Sequence, residues 1–197
     1  MKYLTIIFFT VFLSCNEKNN EYTTTLNKFE IILVNHFPKN ALNEVNDVLV
    51  KDFYHYHNTK SLILSRDLKK ELLDSLTKNY SINKLSKIND SCTIIVNDFL
   101  TKTNIGTPST GKKSKFNDCK TYKIIPNFFE LDIESIKSNL KLPQDFDQYI
   151  LKSAKGNFSN DIDLKISSMP NSIIHGYSKG FALSRKRMRI IYWTIAW

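Results

Sequence analysis

The stretch GYSKGFALSRKRMRIIYWTIAW, residues 176–197, decides the fold class that this sequence predicts. Two runs rich in apolar residues flank a short basic segment, SRKRMR, and this pattern is typical of two antiparallel strands joined by a charged turn. The final run, IIYWTIAW, has no polar residue closing it, and such a strand usually needs a partner to cover it. The C-terminal region is therefore predicted to be a hairpin that closes an antiparallel sheet.

The rest of the chain mixes strand and helix patterns without a regular alternation. Apolar residues three and four positions apart predict helices, and β-branched runs predict strands. The predicted helices are 40–53, 65–80, 131–140 and 143–155, and the predicted strands are 60–64, 91–99, 119–126 and 161–170, while 26–37 suits a helix or a buried strand. Together they predict an α+β fold, a single domain whose antiparallel sheet carries several short amphipathic helices.

Composition excludes some classes of protein but does not indicate an activity. The chain has 197 residues, of which 42% are hydrophobic, so it is long and apolar enough for one domain with a core. Lys and Arg number 28 against 19 Asp and Glu, giving a formal charge of +9. These cations are scattered along the chain, and a scattered excess is typical of a solvated surface.

The N-terminus, MKYLTIIFFTVFLSC, has the features of an export signal. Lys2 precedes an apolar run from Tyr3 to Leu13, which is shorter than the about 20 residues that a membrane-spanning helix needs. It has the length of a signal-peptide core, and residues 1–14 are predicted to be that peptide. Phe12 is too large for the −3 position of ordinary signal peptidase cleavage. The alternative is an N-terminal core helix that contains a cysteine.

Ser14 followed by Cys15 resembles the lipobox of bacterial lipoproteins. The resemblance implies that the Cys15 thiol is diacylated, that the chain is cut before Cys15, and that the new N-terminus is acylated. Phe12 and Leu13 depart from the usual pattern of leucine followed by a small residue. Residues 16–25 lack apolar periodicity and are predicted to be a flexible tether, which makes 15–25 the anchor region and 26–197 the domain.

The C-terminal stretch is similar to that of small uncharacterised lipoproteins of Bacteroidota. The resemblance covers the signal peptide and roughly the last 60 residues, and it carries no assigned activity. In those proteins a comparable strand is followed by one more. The resemblance therefore implies that this chain lacks a final strand of the domain.

The stretch GTPSTGKK, residues 106–113, nearly matches the phosphate loop of nucleotide-binding enzymes. Gly106, Gly111 and Lys112 have the required spacing, but Lys113 stands where a Mg²⁺-binding Ser or Thr is needed. Pro108 removes one amide, and a predicted strand follows where a helix is needed to hold phosphate. We therefore predict a solvated surface loop and no nucleotide.

The stretch GYSKG fits the nucleophile-elbow pattern G-x-S-x-G, with Ser178 as the candidate nucleophile. In that mechanism the base is a histidine that follows the serine, and the last histidine here is His175. Ser178 is therefore not predicted to be catalytic. Gly176 and Gly180 are expected instead to shape a turn or a bulge.

His55 and His57 are the candidate metal ligands. On a strand, residues i and i+2 share a face, so the two imidazoles can bind one metal ion. A third ligand would come from His36, His175 or a carboxylate through the tertiary fold. The alternative is a set of surface or partly buried histidines.

Cys92 and Cys119 are the candidate disulfide, since an exported protein with two further cysteines can pair them. Each begins a predicted strand, which can bring both to one end of a sheet. A loop of 119 − 92 + 1 = 28 residues would be stabilised by about 3.5 kcal/mol. Two unpaired buried thiols are the alternative.

The segment SRKRMR supplies the candidate anion-binding residues, Arg185, Lys186, Arg187 and Arg189. Arginine forms bidentate contacts with phosphate and carboxylate. For an exported lipoprotein the available anions are lipid headgroups, lipopolysaccharide phosphates or acidic polysaccharides, so no nucleic acid is predicted. The alternative is a charged hairpin turn that aids solubility.

These features predict a lipid-anchored lipoprotein of the bacterial outer membrane or cell envelope, facing the periplasm or the cell surface. The expected function is a non-catalytic binding or accessory role, with the membrane as one partner and envelope anions or a protein as another. No cofactor is predicted. The alternatives are a metal-dependent envelope hydrolase using His55 and His57, and an immunity-type protein that binds a toxin.

Overall fold

The centre of the fold is a five-stranded antiparallel sheet, with the strand order β1-β2-β7-β6-β5. The computed structural model describes residues 20–39, 47–53, 59–68, 92–96, 122–128, 142–158 and 173–197, together with 73, 74, 76, 78 and 131. Its strands are β1 (Val48–Phe53), β2 (Lys60–Asp67), β3 (Thr93–Val96), β4 (Lys123–Pro126), β5 (Asp147–Lys155), β6 (Gly176–Ser184) and β7 (Arg189–Ala196). The fold is a sheet-rich α+β fold, and the helices of the described residues are few and short.

The predicted C-terminal hairpin is present as β6 and β7, with Ser184 opposite Arg189 and residues 185–188 in the turn. Met188 adopts the left-handed conformation at this turn, with a φ of 48°. On its other side β7 pairs with β2, from Asp67 opposite Arg189 to Lys60 opposite Ala196. The apolar C-terminal run therefore has a strand on each side, and it forms the middle of the sheet.

Two helices predicted from periodicity are wrong. Residues Val48–Phe53, the second half of the predicted helix 40–53, form β1, and Asp147–Lys155 form β5 where a helix was predicted over 143–155. In both segments the spacing of apolar residues suits a helix, but pairing with β2 and with β6 satisfies the backbone instead. Local propensity is a weak determinant where a sheet edge offers a full ladder of hydrogen bonds.

The predictions for the other segments have mixed outcomes. Strand β2 continues to Asp67, so the helix predicted over 65–80 starts too early, and helical residues are described only at 73, 74, 76 and 78. Strands β3 and β4 confirm the strands predicted within 91–99 and 119–126. The segment 161–170 and all of 131–140 except Leu131 lie outside the described residues.

Helices cover one face of the sheet, which we call the helical face. Helix α1 (20–26) and helix α2 (Ile31–Val34) pack there against β2, β6 and β7. The buried residues of this contact are Tyr22, Phe29, Leu33, Val34, Phe37, Leu62, Leu64, Tyr177 and Ala196. A second cluster on the same face, near the β6–β7 turn, joins Leu68 and Leu73 to Tyr149, Phe181, Leu183 and Ile190. The segment 26–37, for which helix and strand were both open, is therefore a short helix with turns.

Residues 20–25 belong to the folded domain, whereas the sequence suggested that they form part of the tether. They are helical, and Tyr22 and Thr25 are buried. The Tyr22 hydroxyl donates a hydrogen bond to the Pro38 carbonyl at 2.7 Å. The i, i+3, i+4, i+7 spacing of a helix face is present here, at Tyr22, Thr25, Leu26 and Phe29. One of these four residues is a threonine, which weakens the apolar signal in the sequence.

The opposite face is covered by a second layer built on β3 and β4, which pair in parallel. This parallel pair is separate from the five-stranded sheet, and the prediction of an antiparallel sheet did not include it. The chain between the two strands, 97–122, is longer than the dozen residues that a parallel connection needs. Within this layer the buried core includes Ile63, Val96, Ile124, Ile125, Phe128, Leu131, Leu142, Phe146, Ile173, Ala182, Ile191, Trp193, Ile195 and Trp197.

Gly180 allows the Trp193 side chain to approach the backbone of β6 closely. A Cβ at this position would lie 2.0 Å from the Tyr149 carbonyl oxygen and 2.6 Å from Cζ2 of Trp193. Gly180 pairs with Ile150, and the register of β5 shifts between Ile150 and Lys152, as in a β-bulge. The glycine thus serves core packing beside a bulge.

Candidate functional site

The best-defined polar cluster lies between the helical face and the two helices above it. His36 and Asn35 come from the end of α2, and Lys179 comes from the middle of β6. The Lys179 ammonium donates to the Ile32 carbonyl and to Oδ1 of Asn35, both at 2.6 Å. We call Asn35, His36 and Lys179, together with Lys152, the β6 lysine site.

Lys60 makes a similar contact on β2. Its ammonium donates to the Lys28 carbonyl and lies 4.8 Å from the centre of the Phe29 ring, a cation–π distance. Two lysines of the sheet therefore hold the helical segment through its backbone carbonyls. Each lysine places a charged ammonium against a neutral carbonyl oxygen, for which an uncharged donor would suffice.

His36 is fixed as a hydrogen-bond donor. Its Nε2 lies 3.1 Å from the Gly180 carbonyl oxygen and 3.0 Å from the Trp193 carbonyl oxygen. Carbonyl oxygens only accept, so Nε2 carries the hydrogen and the neutral ring has its lone pair on Nδ1. Burial, with a smaller contribution from the charge of Lys179, lowers the pKa of His36 from 6.5 to about 4. At neutral pH the imidazole is therefore uncharged.

Nδ1 of His36 is buried, and among the described residues it has no hydrogen-bond partner. A lone pair in this position has the right chemistry for a base or a metal ligand, but solvent does not reach the atom. His36 therefore holds α2 against β6 and β7 through the two hydrogen bonds of its Nε2. Edge-on contact with the Phe37 ring, at 4.7 Å between centroids, keeps the imidazole in this orientation.

Lys179 lies beside a second cation. In the register of β5 and β6, Lys152 is directly opposite Lys179, so the two side chains leave the same face of adjacent strands. Burial lowers the pKa of Lys179, and the charge of Lys152 adds to this effect. Lys179 is only 6% exposed, while Lys152 and Asn35 are exposed beside it.

Ser178, the candidate nucleophile, is fully buried on the opposite face from Lys179. Its hydroxyl has no hydrogen-bond partner in the part of the chain that the structure describes. The neighbour opposite it on β7 is Ile195, a member of the second-layer core. Among the described residues no base accepts its proton, so the geometry gives no support to a hydrolase mechanism here.

The arginines of the basic segment at the β6–β7 turn form hydrogen bonds and ion pairs with nearby side chains. Arg187 donates to Asp145 at 2.8 Å through Nε and at 3.4 Å through Nη2. Arg185 lies 3.5 Å from Asp74, and both of these side chains are more than half exposed. Nε of Arg189 donates to the Ser65 hydroxyl at 2.9 Å.

Asp145 is the strongest of these partners. Burial acts to raise its pKa, but hydrogen bonds from Arg187 and from the Ser184 hydroxyl outweigh this and hold the pKa below its ordinary value. The Ser184 hydroxyl donates at 2.7 Å and also accepts from the backbone amide of Arg187 at 3.1 Å. Arg187 is thus mainly a structural residue of the turn, and Lys186 lies exposed at its tip.

Cys92 is disulfide-bonded, and its partner lies outside the described residues. Its carbonyl accepts the first hydrogen bond of the parallel pair, from the Lys123 amide at 2.9 Å. Because β3 and β4 are parallel, the two strands begin at the same edge of this pair. The Cys92–Cys119 pairing stays a prediction.

The remaining candidates fall outside the described residues: Cys15, His55, His57, Cys119 and the stretch 106–113. His36 and His175 are described, and His36 is engaged with two carbonyls as above. Within the described ranges, no group of three or more His, Cys, Asp or Glu side chains is arranged to hold a metal ion. Nor does that part of the chain contain a helix long and apolar enough to cross a membrane.

Sequence reasoning missed Lys179, which lies inside the GYSKG stretch that matches the nucleophile-elbow pattern. The available signal was a lysine within a predicted strand, between Ser178 and Gly180. Comparisons with known proteins do not add a function, since no family model, curated protein or solved structure matches this chain.

Proposed function

We propose that this protein is a lipid-anchored domain of the bacterial cell envelope, held at the membrane by acyl chains on Cys15, with a non-catalytic binding or accessory role. The observation that carries the proposal is the apolar run that is too short to span a bilayer and ends in Ser14–Cys15. The disulfide at Cys92 supports it, because disulfides persist in exported proteins and are rare in the cytosol.

The fold sets how close the domain would stand to its anchor. Helix α1 is already present at residue 20, which is 20 − 15 = 5 positions after Cys15. Five extended residues span at most about 18 Å. The proposed anchor therefore leaves little freedom, and the end of the domain where α1 begins would face the membrane.

Interactions along α1 locate the helix relative to the sheet. Burial raises the pKa of Tyr22, and Arg66 and Asp47, both near the β6–β7 turn end of the sheet, act on its hydroxyl. The chain after α1 meets Lys60 at the other end of the sheet. At the start of α1 the Glu21 carboxylate pairs with the Lys51 ammonium at 2.5 Å, and Lys51 lies opposite Leu62, away from both ends of the sheet. The proposed orientation, with the turn 185–188 toward the lipid, therefore rests on the charge of that turn.

The turn suits a surface of lipid phosphates. Lys186 is exposed at its tip, and Arg185 and Arg187 flank it. The Arg185–Asp74 ion pair is more than half exposed, and exposed pairs contribute only about 0–1 kcal/mol. Such pairs can exchange a carboxylate for a phosphate at little cost. This is how the predicted basic cluster would contribute to a second, electrostatic contact with the membrane.

A non-catalytic role is supported by the structural contacts of Ser178, His36 and Lys179. The Ser178 hydroxyl is buried in the core, and both His36 and Lys179 hold the helical segment through backbone carbonyls. These groups serve the packing of the domain.

The test of the anchor is metabolic labelling with a palmitate analogue in the native cells, followed by membrane fractionation. We expect the wild-type protein to be labelled and membrane-bound, and Cys15→Ala to lose both properties. Ser14→Ala is the matched control, because alanine keeps a small residue before the cysteine and leaves processing intact. A Cys15→Ala protein that is still labelled would contradict the proposal.

The orientation is tested with a photo-crosslinking amino acid introduced at position 186 or at position 155 of the anchored protein. Lys155 lies at the opposite end of the sheet, opposite Gly176. We expect crosslinks to lipid from position 186 and few from position 155. Equal crosslinking from the two positions would show that the domain has no preferred orientation.

A further inference from the structure

Lys179 is a nearly buried cation whose charge is balanced by no carboxylate in the part of the chain that the structure describes. Buried charges in proteins are normally paired, since burial without a partner of opposite charge is costly. Its two acceptors, the Ile32 carbonyl and Oδ1 of Asn35, are both neutral. An ammonium has three donors, so one N–H of Lys179 has no acceptor among the described residues.

The nearest charge makes the imbalance larger. Lys152 is opposite Lys179 on the neighbouring strand, and like charges in this position repel each other. Lys152 is exposed, and it too has no carboxylate partner within the described ranges. If Lys179 only capped α2, a neutral donor at this position would serve without the repulsion.

Asn35 adds a third donor. Because its Oδ1 accepts from the Lys179 ammonium, its amide nitrogen is directed away from that lysine. Asn35 is exposed, so this amide is available to a ligand at the rim where α2 meets the sheet. The site therefore combines two cationic donors on adjacent strands with the amide of Asn35, and no carboxylate of the described residues pairs with them.

We infer that Lys152, Lys179 and Asn35 form a binding site for an oxyanion, a phosphate group free in solution or carried by a lipid headgroup. Several acceptor oxygens on one anionic centre match three neighbouring donors, and contacts between ammonium groups and phosphate are stronger than neutral hydrogen bonds. The bound anion would supply the missing countercharge for Lys179. This site is separate from the β6–β7 turn and does not depend on Cys15.

The test titrates inorganic phosphate into the purified protein at constant ionic strength and follows the Lys179 side-chain resonances by NMR. We expect saturable shifts, together with a rise in Tm that depends on phosphate concentration. Lys152→Gln should weaken the apparent affinity by about tenfold, the loss of one charge-assisted contact. Lys155→Gln is the matched control, since Lys155 is exposed on the same strand but lies opposite Gly176.

A parallel titration with phosphatidylglycerol vesicles separates the two sources of phosphate. Saturation by inorganic phosphate that depends on Lys152 supports a free oxyanion. Saturation by vesicles alone, with the same dependence, supports a lipid headgroup. The inference is overturned if the shifts are absent, if they are linear in phosphate concentration, or if they are equal in the wild type and Lys152→Gln. Because the resonances report on binding directly, a change in folding stability does not obscure the outcome.

Discussion

Protonation of His36 should destabilise the fold as the pH falls from neutral. Nε2 already donates to the carbonyls of Gly180 and Trp193, so the second proton must go to Nδ1, which is buried without an acceptor among the described residues. Burial therefore lowers the folded-state pKa from 6.5 to about 4. The unfolded chain binds this proton more readily than the folded chain does between those two values.

The sign and size follow from proton linkage. A histidine with a lowered folded-state pKa contributes stability that is complete above the unfolded pKa of about 6.5 and decreases as the pH falls toward the folded value. With the two pKa values above, the free energy of unfolding should fall by about 2 kcal/mol between pH 7 and pH 5, and by about 3 kcal/mol in total below pH 4.

Urea unfolding at a series of pH values between about 5 and 7 measures this change, since carboxylates contribute mainly at lower pH. His36→Gln is the matched variant, because its amide can still donate to the two carbonyls but does not titrate. We expect the variant to be less stable at neutral pH and to lack most of the decrease. Equal decreases in the wild type and His36→Gln would refute His36 as the source of the decrease.

Three further substitutions test the packing. Gly180→Ala should destabilise the protein by at least about 2 kcal/mol in urea unfolding, because the new Cβ would lie 2.0 Å from the Tyr149 carbonyl oxygen, and stability equal to the wild type would contradict this geometry. Ser178→Ala should leave the free energy of unfolding unchanged or raise it by up to about 1 kcal/mol, since it removes a buried hydroxyl without a described partner, and a marked loss would reveal a partner. Asp145→Ala should lower the free energy of unfolding by about 1–2 kcal/mol at neutral pH, because the buried Ser184 hydroxyl loses its acceptor. This difference from the wild type should shrink as the pH falls below about 4, because the wild-type carboxylate is then progressively protonated.

The sequence predicts the parts of the fold that depend on local signals. The β6–β7 hairpin is the clearest case, because its strands are adjacent along the chain and only a four-residue turn, 185–188, separates them. The strand at Thr93–Val96 is similarly evident from its β-branched residues. These elements are determined largely by their own residues.

The strands β1 and β5 are not predictable in this way. Strand β1 pairs with β2 after only six residues, 54–59, but its apolar residues Leu49 and Phe53 are four positions apart, which is helix spacing. Strand β5 pairs with β6 across 156–175, so its partner lies outside the local sequence. A register shift between Ile150 and Lys152 also breaks the strict alternation that would have indicated a strand. The apolar spacing of these segments then favours a helix.

The site shows the same division. The candidates found from motifs were reactive residue types, such as Ser178, and the structure shows Ser178 buried in the core. The β6 lysine site joins Asn35 to Lys179, which are 179 − 35 = 144 positions apart, and no local pattern indicates such a pair. Lysine is common on solvated surfaces, so its burial became evident only from the fold.

The most direct test of the account is the intact mass of the protein purified from membranes of the native cells, with its N-terminal peptide sequenced by tandem mass spectrometry. The proposed anchor predicts a chain that lacks residues 1–14 and begins at Cys15, with a diacylglycerol on the thiol and an acyl chain on the amine. A chain that begins at Met1, or one cut near this position without lipid, would contradict it.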